Sequence, residues 1–211
     1  MWHHAPMAGT RTIQSEILRL WIDGVGAYLI SLKPTFSIGG PSENGTAADW
    51  MIWSTLLQKH LDITHTSEGF AIAPLGPLQI ADREVTSTIP LRHRTIIALG
   101  SSVRIEFTQP HPLSLTAVLK LVSPHRSVQT ADAVVLLHDT CLIGSRKGHH
   151  ITCGDESPEI RLTPTDGGIR CQADADFSVN DIPSGRESIL EETAIVAGEG
   201  FRFRMECMRE R

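Results

Sequence analysis

The sequence predicts an all-β protein made of two tandem sandwiches with little helix, and three observations predict it. Apolar residues recur at every second position, short turn signals separate those runs, and the order of landmarks in the first half returns in the second. A period of two sends alternate side chains to opposite faces of a strand, so one face meets a core and the other meets water.

In chain order, Thr12 to Leu20 admits one helix, although Leu18-Arg19-Leu20-Trp21-Ile22 alternates as a strand does. Turn signals follow at Asp23-Gly24, Gly39-Gly40-Pro41-Ser42 and Asn44-Gly45, and Ser54 to His60 admits a turn of helix. Val103, Ile105 and Phe107 alternate with Arg104 and Glu106. Two prolines in Gln109-Pro110-His111-Pro112 then interrupt any ladder and mark the boundary between halves. Beyond it, Leu119-Lys120-Leu121-Val122 repeats the in-out pattern, with turns at Asp166-Gly167-Gly168 and Pro183-Ser184-Gly185. Phe201, Phe203, Met205 and Cys207 close the chain by alternating with Arg202, Arg204 and Glu206. No long amphipathic helix and no GxGxxG or GxxxxGK[ST] string occurs, which excludes a βαβ fold with a phosphate-cradling loop.

The internal repeat is the most informative feature. Leu18-Arg19-Leu20 returns as Leu119-Lys120-Leu121 at an offset of 101, and Phe36-Ser37-Ile38-Gly39 as Cys141-Leu142-Ile143-Gly144 at 105. Gly69-Phe70 returns as Gly168-Ile169 at 99, and Thr95 to Gly100 as Thr193 to Gly198 at 98. Four landmarks in one order, drifting only as loop insertions require, place one unit at 18–110 and a second at 116–208.

Composition bounds the function. The 211 residues are 41% apolar and 20% charged, ordinary material for a packed core. A formal charge of -5 argues against nucleic acid, whose binding draws on a basic patch. The start Met1-Trp2-His3-His4-Ala5-Pro6 lacks the pattern of a signal peptide, and no apolar run approaches the ~18 residues that span a bilayer. A cytoplasmic protein with no membrane partner is the expectation. Its four cysteines, Cys141, Cys153, Cys171 and Cys207, are then expected as thiols rather than disulfides.

The order of features resembles the forkhead-associated (FHA) family. Ile38-Gly39-Gly40 stands where the family has an apolar strand ending in Gly-Arg, and Leu57-Gln58-Lys59-His60 where it has Ser-Arg-x-His. Glu68-Gly69-Phe70 matches the following turn, Ile80-Ala81-Asp82 the strand ending in Asn-Gly, and Ile96 to Gly100 the closing element. The resemblance covers Leu18 to Phe107 and, more faintly, Leu119 to Met208. It implies β-sandwiches of about 100 residues that bind phosphothreonine peptides through loops at one end.

The same resemblance implies where ligand would sit. A phosphate dianion needs several charge-assisted donors converging on one point. In the first copy Gly40 replaces Arg, Leu57 replaces Ser, Gln58 replaces Arg and Ala81 replaces Asn, so only His60 is kept. Each lost charge-assisted bond is worth about 1.5 to 3 kcal/mol. In the second copy Ser145 takes the Arg position with Arg146 and Lys147 following, Glu156-Ser157-Pro158-Glu159 replaces Ser-Arg-x-His, and Asn180 keeps the Asn. Arg146 with Asn180 is the remaining donor pair. His60 is expected to brace its own loop, and Arg83 and Arg92-His93-Arg94 to form a solvated surface.

His149, His150 and Cys153 lack zinc spacing and have no second pair of ligands, so no metal is expected. Ser54, Ser114 and Cys153 are nucleophiles by type alone, and Asp174 with Asp176 or Glu191 with Glu192 read as exposed loop charges. No catalytic residue and no cofactor is expected. The sequence therefore points to a non-enzymatic protein–protein interaction module, an adaptor or scaffold in signalling. A phosphopeptide reader using one surviving site is the alternative, and a metal protein or enzyme the third reading.

Overall fold

The computed structural model describes residues 15–42, 47–111, 114–154 and 157–208. The Asn44-Gly45 turn, the helix start at Thr12, Pro112 and Glu156 lie outside these residues. Every element among the described residues is a strand. The first half contains β1 (Ile17–Ile22), β2 (Gly26–Ser31), β3 (Thr35–Gly39), β4 (Trp50–Met51), β5 (Leu61–Thr66), β6 (Gly69–Pro74), β7 (Leu78–Ile80), β8 (Arg83–Glu84), β9 (Ile89–Pro90), β10 (Thr95–Leu99) and β11 (Val103–Thr108). The second contains β12 (Ala117–Leu121), β13 (Ala133–Leu136), β14 (Cys141–Gly144), β15 (Ile151–Thr152), β16 (Ile160–Thr165), β17 (Gly168–Val179), β18 (Ile182–Leu190), β19 (Thr193–Gly198) and β20 (Phe201–Cys207).

Both helix expectations give way to other structure. Leu18, Leu20 and Ile22 are buried and their neighbours are not, so the period-two pattern decides β1. Residues 54–60 form an irregular loop, because their backbone is drawn onto β3: the Gly40 N–H donates to Leu57 O at 2.8 Å, and the His60 N–H to Ile38 O at 2.8 Å.

Two apolar cores account for the all-β sandwich architecture. One lies between the five-stranded sheet β4-β3-β5-β6-β9 and the run β13-β12-β11-β10-β7-β8 of the large sheet. The other lies between β15-β14-β16 with the first part of β17, and the run β2-β1-β20-β19 with the last part of β17. The long strand β17 passes between layers through a register break between Gln172 and Phe177 in its pairing with β18.

The N-terminal hairpins of the two halves are exchanged. β1 pairs with β20, not β11, and Leu18, Leu20 and Ile22 enter the second core. β12 pairs with β11, and Ala117 and Leu119 enter the first core. β2 and β13 meet as parallel neighbours at the centre. Both are buried on two faces: Leu29 and Val134 point into the first core, Ile30 and Val135 into the second. Burying two whole hairpins, at about 1.5–3 kcal/mol per large side chain, ties the halves together.

The ladders also correct the repeat alignment. Ile38 with Leu61 corresponds to Ile143 with Ile160, which keeps the offset of 105 there. Leu119 faces Phe107 as Leu20, not Leu18, faces Met205, and Ile97 faces Ile80 as Val196, not Ile195, faces Val179. The first slip, of two residues, keeps every side chain on its face, so alternation alone does not reveal it; the second, of one residue, exchanges the half-buried Ile195 for the buried Val196.

Candidate functional site

In the first sandwich the end of β3, the β4–β5 loop and the β6–β7 connection converge on His60. This histidine is 2% exposed. Its Nε2–H donates to Pro77 O at 2.8 Å, and its Nδ1 accepts the Leu57 N–H at 3.4 Å, so both ring nitrogens are occupied. The His60 carbonyl accepts from the Leu75 and Gly76 amides. Gly76 is where the ring has room, since a Cβ there would lie 2.6 Å from His60 Cε1. His60 is thus a brace between loops.

The absence of an arginine after Gly39 has a steric reason. A Cβ at Gly40 would stand 2.5 Å from Leu56 O, and one at Gly39 2.0 Å from Gln58 O. The backbone of 56–58 occupies the space that a side chain from this position needs. Leu57 and Gln58 are themselves exposed, so these two positions present neither charge nor hydroxyl, and Lys59 beside them is the exposed cation of the loop. Gly40, Leu57, Gln58 and His60 come together; Ala81 does not. It lies in the β7–β8 turn, at the opposite end of β7 from Pro77, with φ of 51° beside Asp82 at 59°.

In the second sandwich Glu159 precedes β16 as His60 precedes β5. Its side chain is 13% exposed and gathers two arginines and a histidine. Arg161 donates to Oε1, His149 Nε2–H to Oε2 at 3.2 Å, and Arg146 Nη1 lies 3.5 Å from Oε2. The Arg161 hydrogen bond, assisted by those of His149, outweighs burial and holds the carboxyl below its ordinary range. Arg146 is therefore paired, although 78% exposed. Asn180 sits in the β17–β18 turn with φ of 50°, and its Oδ1 accepts the Ile195 N–H at 2.9 Å. No hydrogen bond or ion pair joins Arg146 to Asn180 among the described residues.

His149 and His150 serve separate networks. His149 Nδ1 accepts the Arg146 N–H, while His150 Nδ1 accepts the Leu142 N–H at 3.0 Å and its Nε2–H points to Ser114 Oγ at 3.3 Å. Ser114 Oγ in turn donates to Asp139 Oδ1 at 3.0 Å. Serine, histidine and aspartate meet here, but in the wrong order for nucleophilic catalysis. The histidine nitrogen facing the hydroxyl already carries a proton, and the carboxylate holds the serine rather than the imidazole. Burial raises the Asp139 carboxyl, yet the Thr116 hydroxyl, two backbone amides and Ser114 outweigh it and leave it lowered. No group of three His, Cys, Asp or Glu is placed to hold a metal among the described residues. Ser54 Oγ donates to Ile52 O, and burial raises the Cys153 thiol. Arg83, Arg92 and Arg94 are exposed, and His93 Nδ1 accepts the Gln109 N–H. Asp176 is an exposed partner of Arg186.

Sequence reasoning passes over a second feature, an open cleft of about 1370 Å³ between the exchanged hairpins and β15. Trp21, Trp53, Lys120, Arg126 and Thr152 stand on its walls. The signal for it is the drift from 99, in the corrected register of β12, to 105 at β14, which marks extra chain between them.

No protein-family model and no curated protein matches this chain. Among solved structures, a chain described as the N-terminal FHA domain from EssC, a component of the bacterial Type VII secretion apparatus, aligns with it at 14% identity. The alignment covers 90% of this chain and 92% of that one, with a TM-score of 0.25. A score so low transfers no property between them. Among the described residues no helix is long and apolar enough to cross a membrane.

Proposed function

We propose that this chain is a non-enzymatic protein–protein interaction module, a cytoplasmic adaptor or scaffold. Two FHA-like sandwiches, 18–110 and 116–208 along the chain, have in this reading lost their phosphothreonine pockets. The observation that carries it is the packing of the 56–58 backbone against Gly39 and Gly40. A loop end held by His60 and closed to a side chain from Gly40 keeps its shape but lacks an arginine and a serine to converge on a dianion, with Lys59 its single exposed cation. In the second copy, the pairing of Arg146 with Glu159 supports the same conclusion.

The test is titration of phosphothreonine peptides and their unphosphorylated counterparts against the whole chain. Protein binding insensitive to the phosphate is expected. Tight, phosphate-dependent binding that His60→Ala abolishes would overturn the lost-pocket reading.

A further inference from the structure

The two sandwiches differ at one edge. In the first, β4 pairs with β3 on one side, and its other side is covered by the long β12–β13 connection, residues 122–132. Val128 N–H donates to Met51 O at 2.8 Å, Trp53 N–H to Arg126 O at 2.9 Å, and Met51 N–H to Gln129 Oε1 at 3.1 Å. Gln129 Nε2 closes the strap on Asp49 O at 3.0 Å. The matching edge of the second sandwich is β15, paired with β14 as β4 is with β3. The matching connection, however, is the tight β1–β2 turn of residues 23–25, which supplies no strap.

Thr152 corresponds to Met51, because Gly144 pairs with Thr152 as Gly39 pairs with Met51. Cys153 N–H donates inward to Gly144 O at 3.0 Å, as Ile52 N–H does to Gly39 O. Successive residues of a strand alternate, so Thr152 turns its own N–H and C=O away from β14. Thr152 and Gly154 are exposed; no described residue takes up the outward groups of Thr152 or the Gly154 N–H, while the Gly154 carbonyl accepts the Ser157 N–H at 3.0 Å. They open on the cleft between the hairpins. Of the acidic groups on its walls, Asp23 pairs with Arg202 at 3.8 Å and Asp132 accepts the Ala27 N–H at 2.8 Å. Lys120 and Arg126 line the same cleft with no carboxylate partner among the described residues.

We propose that the outer edge of β15 receives an extended, acidic segment of a partner protein, which adds a strand there as residues 126–128 do on β4. Main-chain hydrogen bonds to Thr152 and Gly154 supply register, and Lys120 and Arg126 select carboxylates. The exposed indoles of Trp21 and Trp53 offer apolar contact on either side. The proposal rests on the interaction-module reading and adds to it a surface and a partner chemistry.

The probe is a labelled synthetic peptide alternating valine or threonine with glutamate, titrated against the full chain with amide hydrogen exchange as the map. Expected are saturable binding and protection at Thr152 and Gly154. Affinity should fall about tenfold or more in K120E/R126E. Binding should vanish for the same peptide N-methylated at alternate amides. T152P removes the outward N–H and should weaken binding similarly; the charge-reversed variant and the N-methylated peptide decide the matter if T152P does not fold. No binding at millimolar peptide overturns the proposal. So does protection elsewhere, an outcome that leaves the interaction-module reading standing. Protection at Thr152 that grows with protein concentration alone assigns the edge to a second copy of this chain and overturns it too.

Discussion

The residue before β5 and the residue before β16 occupy the same place in their sandwiches, yet one is His60 and the other Glu159. His60 is wholly enclosed and spends both ring nitrogens on backbone groups of its own sandwich. Glu159 is a charged hub, with two arginines on its exposed side and the buried His149 on the other. One position thus holds three loops together by shape and backbone hydrogen bonds in the first copy, and by ion pairing in the second. The fold needs a tie there; it does not prescribe its chemistry.

The largest expected effect concerns the partnership on which that comparison stands. Expressed separately, residues 1–112 and 113–211 should each lack the hairpin that completes its own core. Circular dichroism should report little cooperative unfolding for either alone, and recovery on mixing. A half that melts cooperatively by itself would break the comparison, because the copies would then be independent domains.

Next come the ties themselves. His60→Ala should cost about 2–4 kcal/mol, from the cavity and the orphaned Pro77 carbonyl. Glu159→Ala should cost about 1–2 kcal/mol, since both arginines can turn to water. Denaturant titrations at low and high salt sharpen the contrast: the Glu159 effect should shrink with salt and the His60 effect should not.

Acid gives a smaller and ordered response. His138 stacks on His65 at a centroid distance of 4.1 Å beside Phe70, and burial, then the neighbouring His65, lowers its pKa from 6.5 to about 4. The unfolded chain therefore binds this proton first, so stability is full above about 6.5 and declines as pH falls toward 4. Glu159, lowered instead, contributes stability above the ordinary 4.5 that is lost only below it. Melting temperature against pH should fall in these two limbs, and His138→Phe should shrink the upper one, leaving the share of His150, whose pKa burial also lowers.

The smallest effect is a gain. Ala81 and Asp82 hold positive φ in the β7–β8 turn, where the second copy has Asn180 and Asp181. Asparagine tolerates that conformation better than alanine, and an Oδ1 at position 81 would face Ile96 as Asn180 faces Ile195. Ala81→Asn should stabilise by about 0.5–1 kcal/mol in thermal melts.

Much of this architecture is legible in the sequence. The alternation in Val103 to Phe107 and Phe201 to Cys207 finds strands β11 and β20, and Gly39 and Gly144 each end a strand, β3 and β14. Partnership between strands is not legible, because Leu18 and Leu20 look the same whichever core receives them. The steric meaning of Gly40 is also hidden, since it depends on the backbone of Leu56 across a loop. His60 is readable as a brace, but Glu159 as a hub is not. Its partners Arg146, His149 and Arg161 are common surface residue types, and only the fold brings them to one carboxylate.

The crossing of the first hairpin has a consequence for how the chain is made. β1 and β2 leave the ribosome before the other strands described, and their partner β20 follows all of them. At about 5–20 residues per second, that hairpin waits on the order of 10–30 s with Leu18, Leu20 and Ile22 uncovered. Closure of the second core therefore comes late in synthesis, and until β20 arrives the hairpin keeps an apolar face open of the kind that favours aggregation.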